Sequence, residues 1–575
     1  MLNVDEIIEE RFPRFERNTS MIKRPVLAAL RMLFHEREQQ KFENEYPHLQ
    51  GLDFVEQVLE YFDFGYAVQP RELERIPSSG RVVIIANHPI GTLDAFVLFQ
   101  LVAQVRSDVK AVANQVLSSI KPLESLLLPV DNMGGQSTRE QLKAVYQHLE
   151  NEGVVIIFPA GEVSRLSPSG IRDGKWHSGF LRIASATHSP ILPIHVNGRN
   201  SMFFYTLSLV AKPLSTLWLI REMFKQAKRS VGVSIGEIVS FDSYQDVKLP
   251  LQARVKLFQK HLYRIAKRKS GMYATTKPIA RSEPRQKLRQ EIHSCELLGK
   301  TKDGKSIYLA TYQADSSLMR EIGRLREIAF RAAGEGSGLR RDVDSFDPQC
   351  FQLVLWDDAD LEIVGAYRMC AAAKVKQEGG KLYSETLFQF DETMNEMMQQ
   401  GLELGRSFVQ PKYWGKRSLD YLWYGIGAFI RKNPEFRYLF GPVSISDNYP
   451  ATAKDLLVYF YSLYFGDNDN KASALLPYRL HEERKEELAA FFSGENYKED
   501  FKVLKSSLKY LGCAVPTLYK QYPDICEPEG VSFLGFNIDP DFANCVDGLV
   551  MIDLHQLKEK TRKRYIEVEQ EPKQG

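Results

Sequence analysis

Val82-Val83-Ile84-Ile85-Ala86-Asn87-His88-Pro89-Ile90-Gly91-Thr92-Leu93-Asp94 joins a five-residue apolar run to a turn that carries a histidine and then a carboxylate. The run reads as a buried β-strand, and Pro89 and Gly91 read as the turn that ends it. An imidazole at such a turn suits a general base, and a nearby acid suits the group that fixes its tautomer. In isolation, a His and an Asp so placed form a structural pair more often than a catalytic one. The catalytic reading needs the rest of the chain to supply the other parts of a reaction site.

Outward from this stretch, apolar runs recur at Val109–Ala113, Val154–Phe158, Ile191–Val196 and Val231–Ile235, separated by helical patterns. Such alternation predicts an α/β layer. Residues 1–75 read as a helical N-terminal extension, with Leu52, Val55, Val58, Leu59 and Phe62 on one helix face. A second unit restarts with a strand at Ile307–Tyr312 and a helix from Ser316 to about Ala332. Strand candidates follow at Phe351–Leu355, Ile363–Met369, Glu403–Val409 and Tyr438–Ser444, with a helix at Ser418–Arg431. This second unit reads as a mixed-sheet α+β domain.

At 575 residues the chain predicts two domains or three. Its net charge of +2 hides an asymmetry: residues 1–290 carry 39 Lys and Arg against 29 Asp and Glu, and residues 291–575 carry 36 against 44. The expected division is 1–270, a basic linker at 271–290, and 291–575. Residues 254–289 hold twelve basic residues and one acid, Glu283, which reads as a solvated surface or an attractor of anionic head groups. No nucleic-acid motif accompanies these cations, so nucleic acid is not an expected partner.

All six cysteines follow residue 290 and none has CxxC spacing. They are expected as reduced thiols, with no metal site. The N-terminus lacks a signal-peptide core. Phe203–Ile220 is the nearest approach to a membrane span, but Lys212-Pro213 interrupts it, so it reads as interfacial or buried.

Three further blocks accompany His88 and Asp94. They are Phe158-Pro159-Ala160-Gly161-Glu162-Val163-Ser164-Arg165, Lys175-Trp176-His177-Ser178-Gly179-Phe180, and Ser189-Pro190-Ile191-Leu192-Pro193-Ile194-His195-Val196-Asn197-Gly198. In order and spacing, residues 70–240 resemble the glycerolipid acyltransferases, which esterify lysolipids. The resemblance implies that His88 is the base for the acceptor hydroxyl, that Asp94 orients it, and that Gly161, Glu162 and Arg165 bind the acceptor head group. Oxyanion donors would be backbone amides near Gly161 or the Arg165 guanidinium. Two departures stand out: five residues separate His88 from Asp94 where the family has four, and Ala160 precedes Gly161 where the family has an acid. His177, His188 and His195 read as structural.

In the second unit the informative blocks are Leu325–Arg331, Asp342-Val343-Asp344-Ser345-Phe346-Asp347, Ile363–Arg368, Tyr383–Thr386 and Glu403-Leu404-Gly405-Arg406, with Gln410-Pro411-Lys412-Tyr413-Trp414-Gly415-Lys416-Arg417 and Phe440–Ser444. A strand running into a basic, Gly-containing turn before a helix makes a phosphate cradle from Lys412, Gly415, Lys416 and Arg417. Together the blocks resemble the GNAT-like N-acyltransferases that make lyso-ornithine lipid, akin to acyl-homoserine-lactone synthases. The pairing of units resembles the bifunctional ornithine lipid synthases.

That resemblance implies N-acylation of ornithine with a 3-hydroxyacyl group, then O-acylation of lyso-ornithine lipid. The donor would be the phosphopantetheine arm of an acyl carrier protein, with no tightly bound cofactor, and the enzyme would sit in the cytoplasm on the inner-membrane surface. Glu403 is the candidate base of the second unit, with Asp344 and Asp347 as alternatives. Arg406 or Arg368 would bind the amino-acid carboxylate. The competing readings are a glycine or other aminolipid, a lysophospholipid acyltransferase, and a non-catalytic, haemolysin-like membrane-binding protein.

Overall fold

The computed structural model describes residues 31–32, 35–113, 120–130, 139–168, 170–245 and 247–567. Part of the expected N-terminal helical extension, residues 1–30, lies outside them. The chain divides into two compact units, Met1–Pro278 and Ile279–Gly575, and both are α/β.

Among the described residues the first unit has nine strands: β1 (Gly65–Val68), β2 (Val82–Ala86), β3 (Val109–Ala113), β4 (Leu127–Pro129), β5 (Val154–Ile157), β6 (Arg165–Ser167), β7 (Gly170–Arg172), β8 (Ile191–Asn197) and β9 (Ser230–Ile235). Seven form one sheet in the order β1-β9-β8-β2-β5-β3-β4, and β6 and β7 form a separate hairpin. The pairs are parallel except β8–β9. β2 lies in the middle, and its period of two feeds two cores: Val82, Ile84 and Ala86 join one, while Val83 and Ile85 join the other. The helix Thr92–Ala103 covers the first face with Leu93, Phe96 and Val97, and Gly179–Ala186 and Leu251–Ile265 cover the second. β1 and β4 are additions that the sequence pattern does not signal, because each is short and lies at a sheet edge.

The expected basic linker contains ordered structure. Thr276 bridges to Ile238, and the helix Arg285–His293 buries Leu288 and Ile292. Phe203–Ile220 resolves into two helices, Met202–Val210 and Lys212–Lys225, broken at Ala211. Among the described residues no helix is long and apolar enough to cross a membrane.

The second unit contributes β10 (Glu296–Lys300), β11 (Ser306–Thr311), β12 (Phe351–Asp357), β13 (Glu362–Ala371), β14 (Phe388–Phe390), β15 (Gly401–Val409), β16 (Tyr438–Ile445), β17 (Ala472–Ala474), β18 (Val531–Asp539) and β19 (Cys545–Asp553). Eight of them form a sheet in the order β10-β11-β12-β13-β15-β16-β19-β18, antiparallel except for β15–β16. That parallel pair is joined only from Gly401 to Glu403; beyond it the two strands share no ladder. β15 also carries a bulge, so that Arg406 and Ser407 face the single residue Tyr367, and Arg406 takes a positive φ of 48°.

One expectation is corrected by the register of β12 and β13. Cys350 and Cys370 flank the paired residues Phe351 and Met369, their Cα atoms lie 4.4 Å apart, and they form a disulfide. The 20-residue separation has no motif, so only strand pairing reveals the contact.

Candidate active sites

In the first unit the site lies at the C-terminal ends of adjacent parallel strands, where ligand sites of α/β sheets gather. β2 delivers Asn87 and His88. Gly91 then takes φ 122° and ψ −138°, a region open essentially to glycine, and caps the helix Thr92–Ala103. This turn absorbs the fifth residue between His88 and Asp94 and brings Asp94, at the third helical position, back onto the loop. Asp94 Oδ2 accepts the amides of Ile90 and Gly91 at 2.8 and 3.1 Å and lies 3.3 Å from His88 Nδ1. Asp94 is fully buried, whereas His88 is partly exposed and its ring packs on Phe158, 4.2 Å between centroids.

β5 delivers the second block. The Gly161 amide donates to Phe158 O at 3.0 Å, so this donor is already used in the turn. Glu162 pairs with Lys212 at 2.8 Å and approaches Arg165 at 3.5 Å. Arg165 donates to Ser215 Oγ at 2.9 Å. The structure thus brings Gly161, Glu162 and Arg165 together and links them to the helix Lys212–Lys225.

Asp173 is a residue that sequence reasoning missed. It accepts the His88 amide at 3.2 Å, Trp176 Nε1 at 2.9 Å and the Ser164 hydroxyl, tying the two blocks together. Burial pushes its carboxyl up, against the donors that hold it down. Its only sequence signal was its place two residues before the Lys175-Trp176 block. His195 is kept neutral by burial and by Arg172, which push its imidazole down to about 4.

In the second unit the divergence of β15 and β16 opens a cavity of about 690 Å³. Gly405, Arg406 and Ser407 line one side, and Pro442, Val443 and Ser444 the other. The turn Tyr413–Lys416 and the start of the helix Ser418–Lys432 also line it. Lys416 reaches over the Tyr413 ring at 5.0 Å and has no carboxylate partner among the described residues. Lys412 is paired with Glu362 and lies 3.6 Å from Asp360, and Arg417 pairs with Asp420 at 2.6 Å. Two of the three predicted cradle cations are therefore neutralised by carboxylates.

Glu403 is not among the residues lining the cavity. Its buried carboxylate accepts Ser384 N at 2.8 Å, Tyr383 N at 3.3 Å and the Ser384 hydroxyl. Asp344 and Asp347 are likewise committed elsewhere. Asp347 pairs with Arg326 at 2.9 Å, both fully buried, and Asp344 pairs with Arg368 at 2.6 Å and with Arg406 at 3.2 Å. Burial would raise the Asp344 carboxyl, but Arg368 and Arg406 hold it down at about 2. Arg406 completes the network through Asp342 at 3.1 Å and lies over the rings of Tyr383 and Phe542 at 4.4 and 4.9 Å. Of the predicted polar groups, only Arg406 and the 415–416 turn reach the cavity.

The cavity has two acids of its own, Glu335 and Asp547. Gly334, at φ 77°, ends the helix Ser317–Ala332, and the Glu335 amide closes on Phe330 O at 2.8 Å, which aims the following side chain inward. Asp547 sits on β19 opposite Ser444, is 1% exposed, and has one carboxylate oxygen without a hydrogen-bond partner. Burial and the neighbouring Asp547 push Glu335 up to about 8; burial and Asp539 push Asp547 up as well, against Arg406. Sequence reasoning missed both because neither sits in a motif; the signals were a Gly-Glu-Gly after a helix and one acid inside the apolar run Cys545–Met551.

The family model described as "Acyltransferase" matches residues 7–270, and the one described as "Acetyltransferase (GNAT) domain" matches residues 325–424. Glycine N(alpha)-acyltransferase of Bacteroides thetaiotaomicron is 34% identical over 280 residues, which cover 46% of this chain and 82% of that protein. Lyso-glycine lipid O-acyltransferase of Phocaeicola vulgatus is 30% identical over 238 residues, 40% of this chain and 84% of that protein. L-ornithine N(alpha)-acyltransferase of Rhizobium meliloti is 34% identical over 115 residues, 19% of this chain and 38% of that protein.

Proposed function

The chain belongs to the two-domain aminolipid acyltransferases, and from that premise we propose that it performs two successive acyl transfers. The second unit joins a 3-hydroxyacyl group to the α-amine of ornithine, and the first unit then acylates the 3-hydroxyl of that product. The observation that carries this reading is the cavity of the second unit, which is lined by two carboxylates, Glu335 and Asp547, and by Lys416 just before the start of a helix.

In the N-acylation, Glu335 or Asp547 takes a proton from the α-ammonium. The free amine attacks the thioester carbonyl, the tetrahedral intermediate collapses, and the thiol leaves with a proton. The acyl donor arm, the phosphopantetheine of acyl carrier protein, would enter past Lys416 and the amides at the start of the Ser418–Lys432 helix. Arg406 is the candidate for the acceptor carboxylate. In the O-acylation, His88 removes the hydroxyl proton as the oxygen attacks the second thioester, and returns it to the leaving thiol. Asp94 holds the ring and stabilises its charged form. With the Gly161 amide occupied in a turn, Arg165 is the better oxyanion candidate of the two, beside its contact with the head group. Both donors and the lipid product meet at the cytoplasmic face of the inner membrane.

Two cavity carboxylates support ornithine, whose second ammonium gives one of them a partner. Glycine is the second reading, supported by the greater span of likeness to the glycine acyltransferase. The test is expression of the intact chain in a bacterium lacking aminolipids, with mass spectrometry of the lipid extract. Doubly acylated ornithine lipid is expected from the parent, the mono-acyl form from His88→Ala, and neither from the double variant Glu335→Gln/Asp547→Asn. Glycine lipid in place of ornithine lipid would decide for the second reading. Full yield of doubly acylated lipid from His88→Ala would refute the assignment of the first site.

A further inference from the structure

We propose that the helical hairpin 202–225 of the first unit inserts its apolar tip into an anionic membrane surface beside the His88 site. The inference rests on the O-acylation reading only for its consequence, the delivery of acceptor; the membrane contact itself stands on the hairpin.

The exposed apolar side chains of the first unit are concentrated here. Of the nine exposed large hydrophobic residues among its described residues, four fall within nine consecutive positions: Met202 at 68%, Phe203 at 52%, Leu209 at 70% and Val210 at 85%. This short helix bares Leu209 and Val210 at its end while Phe204 and Tyr205 are buried, and no partner covers the two exposed side chains among the described residues.

The base of the hairpin is fixed by polar contacts. Fully buried Glu222 accepts Ser201 N and Ser201 Oγ at 2.7 and 2.8 Å and Trp218 Nε1 at 3.1 Å. Asn200 donates to the carbonyls of Pro89 and Ile90 at 3.3 and 3.2 Å, in the turn that follows His88. Arg165 reaches Ser215, and Glu162 reaches Lys212. The hairpin is therefore held to both blocks of the candidate site, at its base and again just beyond the break at Ala211, while Leu209 and Val210 are bare.

Charge and length select the occupant. Lys225 lies 6.0 Å from the Phe203 ring and 5.7 Å from the Trp218 ring, and Arg221 lies 4.8 Å from the Trp218 ring. Lys225 is paired with Glu222 at 2.9 Å, which leaves Arg221 as the cation beside Trp218 and exposed Phe203. A cation and a tryptophan on the same hairpin as exposed apolar side chains are the pattern of a helix seated at a lipid head-group boundary. Helices of 9 and 14 residues extend roughly 14 and 21 Å, too short for a hydrocarbon core of about 30 Å. Insertion is thus shallow. The acceptor and the product of the proposed reaction are both acyl lipids, so an entry point at the bilayer surface spares the acyl chain a passage through water.

The test uses the full chain with vesicles of phosphatidylethanolamine and phosphatidylglycerol, and with vesicles of phosphatidylcholine, in co-sedimentation. Leu209→Asp/Val210→Asp is compared with Leu249→Asp, which changes an exposed leucine elsewhere in the unit. Circular dichroism establishes that each variant is folded. The hairpin variant is expected to bind anionic vesicles at least about tenfold more weakly, and Leu249→Asp to bind as the parent does. O-acylation of lyso lipid in vesicles should fall with binding, while that of a short-chain, water-soluble acceptor stays within about twofold. Unchanged binding by the hairpin variant, equal loss by Leu249→Asp, or equal binding of the parent to neutral vesicles would each overturn the proposal. Retained vesicle binding with loss of both acylations would put acyl carrier protein on this face instead, and overturn it too. Hairpin-dependent binding without O-acylation of either acceptor by the parent would sustain the membrane contact and sink the O-acylation reading alone.

Discussion

His88 Nδ1 stands 3.3 Å from Oδ2 of Asp94, and that same buried oxygen holds the amides of Ile90 and Gly91. The carboxylate therefore fixes the loop and the ring together: the backbone it caps is the backbone that presents the imidazole. Asp94→Asn keeps an acceptor for the loop but removes the charge that favours the imidazolium. It should lower O-acylation by about 10²- to 10⁴-fold and leave N-acylation unchanged, so that mono-acyl lipid accumulates in the extract. Asp94→Ala should also lower the thermal midpoint, because two amides lose their acceptor at roughly 1–3 kcal/mol each.

Glu335 gives N-acylation a pH signature. Its carboxyl is pushed up to about 8, so the base form is gained as pH rises through that value, and kcat/KM for the amine should rise with it. Glu335→Gln should remove this limb and leave only the titration of the amine itself. Stability runs the other way. A carboxyl raised in the folded state stabilises below its ordinary value of 4.5 and loses that contribution as pH climbs through about 8. The thermal midpoint of Glu335→Gln should therefore gain on the parent between pH 5 and pH 9, measured in parallel melts.

Sequence pattern locates the strand that presents His88 because a central parallel strand buries both faces and reads as an unbroken apolar run, as Val82–Ala86 does. It does not locate β18 and β19 in the same way, although Val531–Asp539 and Cys545–Asp553 are as long as any strand of the second unit but one. The quoted motifs stop at Ser444, and the acid that matters on β19, Asp547, reaches the cavity only through its register with Ser444. Motif-borne acids such as Asp344, Asp347 and Glu403 were legible as important residues. Their partners were not, because Arg326, Arg368 and Ser384 meet them across strands and turns distant in sequence.

Those partners predict a separation of stability from activity. Glu403→Ala strands three donors, Tyr383 N, Ser384 N and Ser384 Oγ, in a buried turn. Arg326→Leu leaves buried Asp347 with only Arg368, at 3.5 Å, as a cationic partner, at a cost of up to about 3–5 kcal/mol. Both variants should lower the urea midpoint well beyond the effect of Glu335→Gln, whereas Glu335→Gln should lower N-acylation more per folded molecule than Glu403→Gln does. An activity loss confined to Glu403→Gln, with an unchanged urea midpoint, would return the base to Glu403.

Lys416 is the cradle cation with its charge still available. Lys412 is paired with Glu362, and Arg417 with Asp420, a carboxylate that also accepts Arg564 and Tyr565. A phosphate arriving at the start of the Ser418–Lys432 helix meets unsatisfied amides and one uncommitted ammonium, and both terms weaken with salt. Lys416→Ala should raise KM for the phosphopantetheine donor by about tenfold with kcat little changed, which is the mark of lost uniform binding. Lys412→Ala and Arg417→Ala should change it by less than about threefold, since each removes a cation already neutralised by an exposed pair. The comparison is made by steady-state N-acylation at low and high ionic strength. The parent's KM should climb with salt and that of Lys416→Ala should climb less; equal effects from all three substitutions would show that net charge at the turn, rather than the position of Lys416, attracts the donor.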